Sequence, residues 1–176
     1  MRLVLLTMGV LFFTACGYKP SSHYIKHIFA DSVYVEVAVD AIEPENAPFI
    51  KDEMNRLVYA RFKGRVTSKE QAGSKIYVNY KGTSYAPLAY EDGYVTRYRV
   101  NIRVNFRMET KEGVITKRIS SRVESDIQAS SLTSSTLRTE AIRTGLAKAL
   151  DEFVSYVSAK GLMAEKKKST EGKKTN

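Results

Sequence analysis

From Ser32 to Val39 the chain alternates, with Val33, Val35, Val37 and Val39 on one side and Tyr34, Glu36 and Ala38 on the other. Strand side chains change face at every residue, so this period predicts a strand with one buried face. Ile42 to Pro48 contains Pro44, Asn46 and Pro48 and reads as a turn. From about Phe49 to Lys63 the period lengthens. Ile50, Met54, Leu57, Val58 and Arg61 then share a stripe at helical spacing. Gly64 follows, where a helix end favours a residue free to adopt positive φ. Val66 to Ala72 reads as a short strand or extended connection. Ser74 to Tyr85 predicts a long strand with Ile76, Val78 and Tyr80 on one face, ended or demoted by Pro87. Glu91-Asp92-Gly93 signals a tight hairpin. It leads into the longest strand, Tyr94 to Thr110. Tyr98, Val100, Ile102, Val104, Phe106 and Met108 occupy one face of it, and Arg97, Arg99, Asn101, Arg103, Asn105 and Arg107 the other. Lys111-Glu112-Gly113 turns the chain into a partner strand, Val114 to Ile127, with Ile115, Ile119 and Val123 inward and Arg118 and Arg122 outward.

Gln128 to Ser135 is a polar loop whose Ser134 or Ser135 is placed to cap the next helix. In that helix Ile142, Leu146, Ala149, Leu150, Phe153 and Val157 form an apolar stripe, and the helix is predicted to end near Gly161. Residues 162–176 are a Lys-rich, low-complexity tail and are expected to be disordered. The order is strand, helix, three long strands, helix. It implies an α+β domain over 32–161, a mixed sheet of about four strands with two amphipathic helices packed on one face.

The start of the chain is different in kind. Met1-Arg2 is followed by an apolar run, Leu3 to Phe13, and then by Thr14, Ala15 and Cys16. That run is too short to span a bilayer, which takes roughly 20 residues. A basic start, a short apolar core and small residues describe an export signal that is cleaved. The single cysteine at its end resembles the lipobox of bacterial lipoproteins, with Phe13 where leucine is usual. On that reading residues 1–15 are removed, Cys16 becomes the lipidated first residue, and 16–31 form a tether. The competing reading is an ordinary secretory signal cleaved nearby, or an uncleaved anchor. Acylation of one cysteine with several chains is enough for stable anchoring.

Composition narrows the classes further. Removing the signal from 176 residues leaves 161, enough for one core. Seven Phe and eleven Tyr with 43% hydrophobic residues fit a globular fold. With one cysteine, disulfides cannot hold it. The net charge of +9 suits an exported protein whose partners are anionic lipid headgroups, lipopolysaccharide phosphates or acidic protein surfaces, with no nucleic acid among them.

These residues resemble the LptE lipopolysaccharide-assembly lipoprotein family, in a short, divergent form. The resemblance is carried by the lipobox with Cys16-Gly17-Tyr18-Lys19-Pro20, the valine strand, the helix 49–63 and the Tyr77–Tyr80 strand. It continues through Gly93-Tyr94-Val95-Thr96-Arg97-Tyr98-Arg99-Val100 and the helix holding Arg138-Thr139-Glu140-Ala141 and Ala147-Lys148-Ala149-Leu150. It covers roughly residues 1–160; the Lys-rich tail is outside the pattern. It implies an outer-membrane lipoprotein on the periplasmic side, seated in the barrel of LptD as plug and assembly partner and binding lipopolysaccharide. An auxiliary lipoprotein of an ABC-type lipid transport system and a structural envelope lipoprotein remain the alternatives.

Two surfaces stand out as binding candidates. Arg97, Arg99, Arg103 and Arg107 share a strand face, with Arg118 and Arg122 on the neighbour. The guanidinium fork suits phosphate; a solvated sheet face accounts for the row equally simply. Tyr85, Leu88, Tyr90 and Tyr94 form a tyrosine-rich loop suited to a partner contact or to local packing. His23 and His27 lie four apart without an adjacent cysteine or carboxylate, so no metal site is expected from them. No nucleophile triad, phosphate loop or ligand cluster is recognisable, so neither catalysis nor a cofactor is expected. Glu43, Glu45, Asp52 and Glu53 lie near a helix start, where negative charge is favourable in any case.

Overall fold

The structure, a computed structural model, describes residues 21–39, 43–126 and 131–174. Along these the elements are α1 (Ser21–Ile28), β1 (Ser32–Val39), α2 (Asn46–Ala60), β2 (Arg65–Val66), β3 (Ser74–Glu91), β4 (Tyr94–Thr110), β5 (Gly113–Asp126) and α3 (Ser131–Lys174). The strands make one five-stranded sheet in the order β2-β1-β3-β4-β5. β1 runs parallel to β2 and β3, and β3–β4 and β4–β5 are antiparallel. The α+β class and mixed sheet expected from the pattern are both present. The fifth strand is the two-residue β2, at the start of the segment read as a short strand or extended connection.

One sheet face carries the core. Val33, Val35, Ile76, Val78, Val100, Ile102, Val104, Phe106, Met108 and Ile119 are buried there beneath α2 and α3. Phe106 stacks on Phe153 at 4.2 Å, Phe153 meets Phe62 at 6.2 Å, and Phe62 stacks on Phe29 at 5.0 Å. This aromatic row ties β4, α3 and the segments after α2 and α1 into one core. Removing a buried phenylalanine costs about 3–5 kcal/mol, against about 0.2–1 kcal/mol for an exposed ion pair. The core, not the surface charge, therefore holds the fold.

Several local expectations are corrected. Residues 16–31 were expected to form a tether, yet Ser21–Ile28 is helical, and Ile25, Ile28 and the following Phe29 are buried. The last helix does not stop at Gly161 but continues to Lys174, including residues of the expected disordered tail. Its start also precedes the anticipated serine cap, at Ser131. Gly161 is buried against α1, where an added Cβ would land on the Tyr24 carbonyl oxygen. The glycine is there for close approach, not termination. Near Gly64 the positive φ belongs to Lys63, at 55°, while the Gly64 N–H donates to Val58 O at 3.0 Å. A Cβ on Gly64 would sit 3.0 Å from Asp31 O. Pro87 does not end β3. Beyond Tyr80, among the described residues, the strand pairs with β4 alone, with register shifts next to Pro87, so proline is tolerated. Asp92 (φ 49°) and Gly93 (φ 82°) are both left-handed, the conformation a two-residue hairpin turn requires.

Candidate functional site

The face of the sheet opposite α2 and α3 has no helix on it among the described residues. The alternation of β4 and β5 places Arg97, Arg99, Arg103, Arg107, Arg118 and Arg122 there, all exposed. The register keeps them apart. Asn101 is opposite Arg122, Arg103 opposite Ser120, Asn105 opposite Arg118, and Arg107 opposite Thr116. Arg99 faces Glu124 and Arg97 faces Asp126. No arginine of one strand is directly opposite an arginine of the other, so the repulsion of directly opposed like charges is avoided.

Two of the six are already compensated. Arg97 Nε donates to Asp126 Oδ1 at 2.6 Å, and the carboxylate holds the guanidinium above the usual arginine range. Arg107 Nη1 donates to Glu109 Oε1 at 2.8 Å and lies 5.3 Å from the Tyr77 ring centre. Arg99, Arg103, Arg118 and Arg122 have no carboxylate within ion-pair distance among the described residues. Toward the β4–β5 turn lies a shallow depression of about 500 Å³, lined by Tyr77, Asn79, Asn105, Arg107, Thr116 and Arg118 among others. Asn105 Oδ1 is buried beside it without a hydrogen-bond donor among the described residues. The arrangement can hold an anionic group between guanidinium and amide donors.

The tyrosines of the candidate loop separate into two environments. Tyr85 is half-buried, accepts from Arg138 Nε at 2.8 Å and packs edge-on against Tyr98 at 6.3 Å. Burial pushes its hydroxyl pKa up, and Arg138 partly offsets this. It is structural. Leu88 is partly covered. Tyr90 and Tyr94 are 65% and 78% exposed and flank the hairpin turn, past the point where β5 stops pairing. They project as an apolar-edged tip. Cys16 lies outside the described residues.

Sequence reading missed a buried polar cluster. Glu43, only 6% exposed, accepts through Oε2 from Tyr80 Oη, from Thr83 Oγ1 at 3.0 Å and from Asn46 Nδ2 at 3.2 Å. These bonds fasten the turn before α2 to the irregular middle of β3. His23 and His27 also gain a neighbour that spacing did not reveal, since Glu165 Oε1 lies 3.4 Å from His23 Nε2. No helix among the described residues is long and apolar enough to cross a membrane.

Comparison with known proteins fits this architecture. Residues 34–157 match the model of the LptE lipopolysaccharide-assembly family. No curated protein sequence matches the chain. Among solved structures, rare lipoprotein B of Shewanella oneidensis is similar with a TM-score of 0.55 at 14% identity, covering 75% of this chain and 98% of that one. A Caulobacter crescentus CB15 protein described as a lipoprotein has a TM-score of 0.54 at 13% identity, covering 83% and 96%. Lipoprotein B of Nitrosomonas europaea has a TM-score of 0.51 at 15% identity, covering 73% and 82%. At these identities the structures speak to the fold. The family match spans most of the domain, and the chain belongs to the LptE lipopolysaccharide-assembly lipoprotein family.

Proposed function

We propose that this chain is a non-enzymatic lipoprotein of the outer membrane that works by binding. Its signal is removed, Cys16 carries acyl chains, palmitate among them, and the domain sits on the periplasmic side within the LptD barrel as plug and assembly partner. The open basic face offers its arginines to lipopolysaccharide phosphates. The observation that carries this reading is the sheet itself. One face is packed to form a rigid core, and the other presents four arginines without a carboxylate partner among the described residues. Charge-assisted bonds from a fixed guanidinium to phosphate are the strong kind. The projecting Tyr90–Tyr94 tip supplies a surface for the barrel, because tyrosine buries area while keeping a hydroxyl for bonding.

The test reverses two of the uncompensated charges, Arg99→Glu with Arg103→Glu. Arg97 is a poorer choice because Asp126 already neutralises it. Both side chains are exposed, so thermal unfolding should move little, within about 0.5 kcal/mol per site. Lipopolysaccharide binding by the purified protein should weaken by about tenfold or more. Undiminished binding in a folded double variant would mean the row only solvates the sheet.

A further inference from the structure

We propose that His23, His27 and Glu165 form a site for a divalent transition-metal ion, zinc foremost, that bolts α1 onto α3. His23 and His27 are four residues apart in α1, so they share one helix face. The carboxylate comes from the far end of the chain. At Gly161 the backbone of α3 comes so close to Tyr24 that no side chain fits between. One helical turn further along α3, Glu165 reaches the histidines. One ligand atom from each of the three residues lies within 4.8 Å of the other two.

The dimensions suit zinc. Bonds of about 2.0–2.1 Å in tetrahedral geometry place neighbouring donors roughly 3.4 Å apart. His23 Nε2 and Glu165 Oε1 are already at 3.4 Å. The His27 ring, edge-on to His23 at 5.5 Å between centres, needs only a side-chain adjustment to close the set. Two imidazoles and a carboxylate favour zinc, copper or nickel over magnesium or calcium. Three protein donors leave a fourth position open for water or another ligand, as in non-structural zinc sites. His23 follows Cys16 by seven residues in sequence, so the metal would stiffen the segment through which an anchored domain meets its membrane.

The proposal is tested on the full chain in detergent. Zinc is titrated calorimetrically, Co2+ absorption reports the geometry, and Tm is measured with and without zinc. The expected result is one saturable zinc per chain, a low-coordinate cobalt spectrum, and a Tm that rises with zinc, since a ligand of the folded state stabilises it by mass action. His23→Gln, His27→Gln and Glu165→Gln should each weaken binding by more than the about 10–100-fold that loss of an outer-shell partner costs. They should also abolish the zinc-dependent Tm rise. Glu140→Gln, at an exposed position of the same helix, should leave both unchanged. All three ligands lie at or near the surface, so matching circular dichroism of the metal-free variants separates lost ligands from lost fold. Absence of saturable zinc binding overturns the proposal, as does binding that survives all three substitutions together.

Discussion

Tyr80 has no exposed surface, yet it carries a hydroxyl, and Glu43 is what makes that burial tolerable. Burial first, and the bond to Glu43 second, raise the Tyr80 pKa. The folded state therefore holds this proton more tightly than the unfolded chain, where the ordinary value is 10.0. The stabilisation is complete below that pH and is lost as the solution becomes more alkaline. Tyr80→Phe should cost about 1–3 kcal/mol near neutral pH, because Glu43 loses a buried partner. The gap between variant and parent should shrink at about pH 11, read from urea unfolding at both pH values. A gap that stays constant would contradict the assignment. At this scale the arginine row was legible, because a period of two places side chains without knowledge of the fold. The Glu43 cluster was not, since its bonds join positions 37 and 40 residues apart.

Between elements, Gly145 and Gly161 of α3 mark where the helix touches its neighbours. A Cβ at Gly145 would meet the end of the Ile102 side chain, which can rotate away, whereas at Gly161 it would meet the backbone of Tyr24, which cannot. Alanine improves helix propensity at either site by about 1 kcal/mol. Gly145→Ala should therefore change stability little. Gly161→Ala should displace α1, lower stability by about 1–3 kcal/mol and strip hydrogen-exchange protection from the α1 amides. If Gly161→Ala is the more stable variant and α1 stays protected, the close-approach account is wrong. The strands and their inward faces followed from alternation, and the Asp92-Gly93 turn from its residue types. The N-terminal helix did not, because eight residues with a mixed face look like linker until Ile25 and Ile28 find α3. The end of α3 was misplaced for a related reason. A glycine that admits a neighbouring backbone is indistinguishable in sequence from one that stops a helix.

Across the whole molecule, the sheet divides the labour. One face is spent on the core and fixes the strands, and the other is left as a basic surface whose arginines face neutral or acidic residues across the strands. The β3–β4 hairpin carries Tyr90 and Tyr94 beyond the rest of the sheet. The family follows from residues 34–157, while the partner is a matter of what this surface holds in the membrane. Affinity purification of the lipidated full chain from the membranes of its own organism tests that most directly. A large outer-membrane β-barrel should copurify, and Tyr90→Ala with Tyr94→Ala should reduce its yield, since tyrosines at the centre of an interface cost about 2 kcal/mol or more when truncated. Recovery of an ABC permease or its substrate-binding subunit with no barrel would contradict the account.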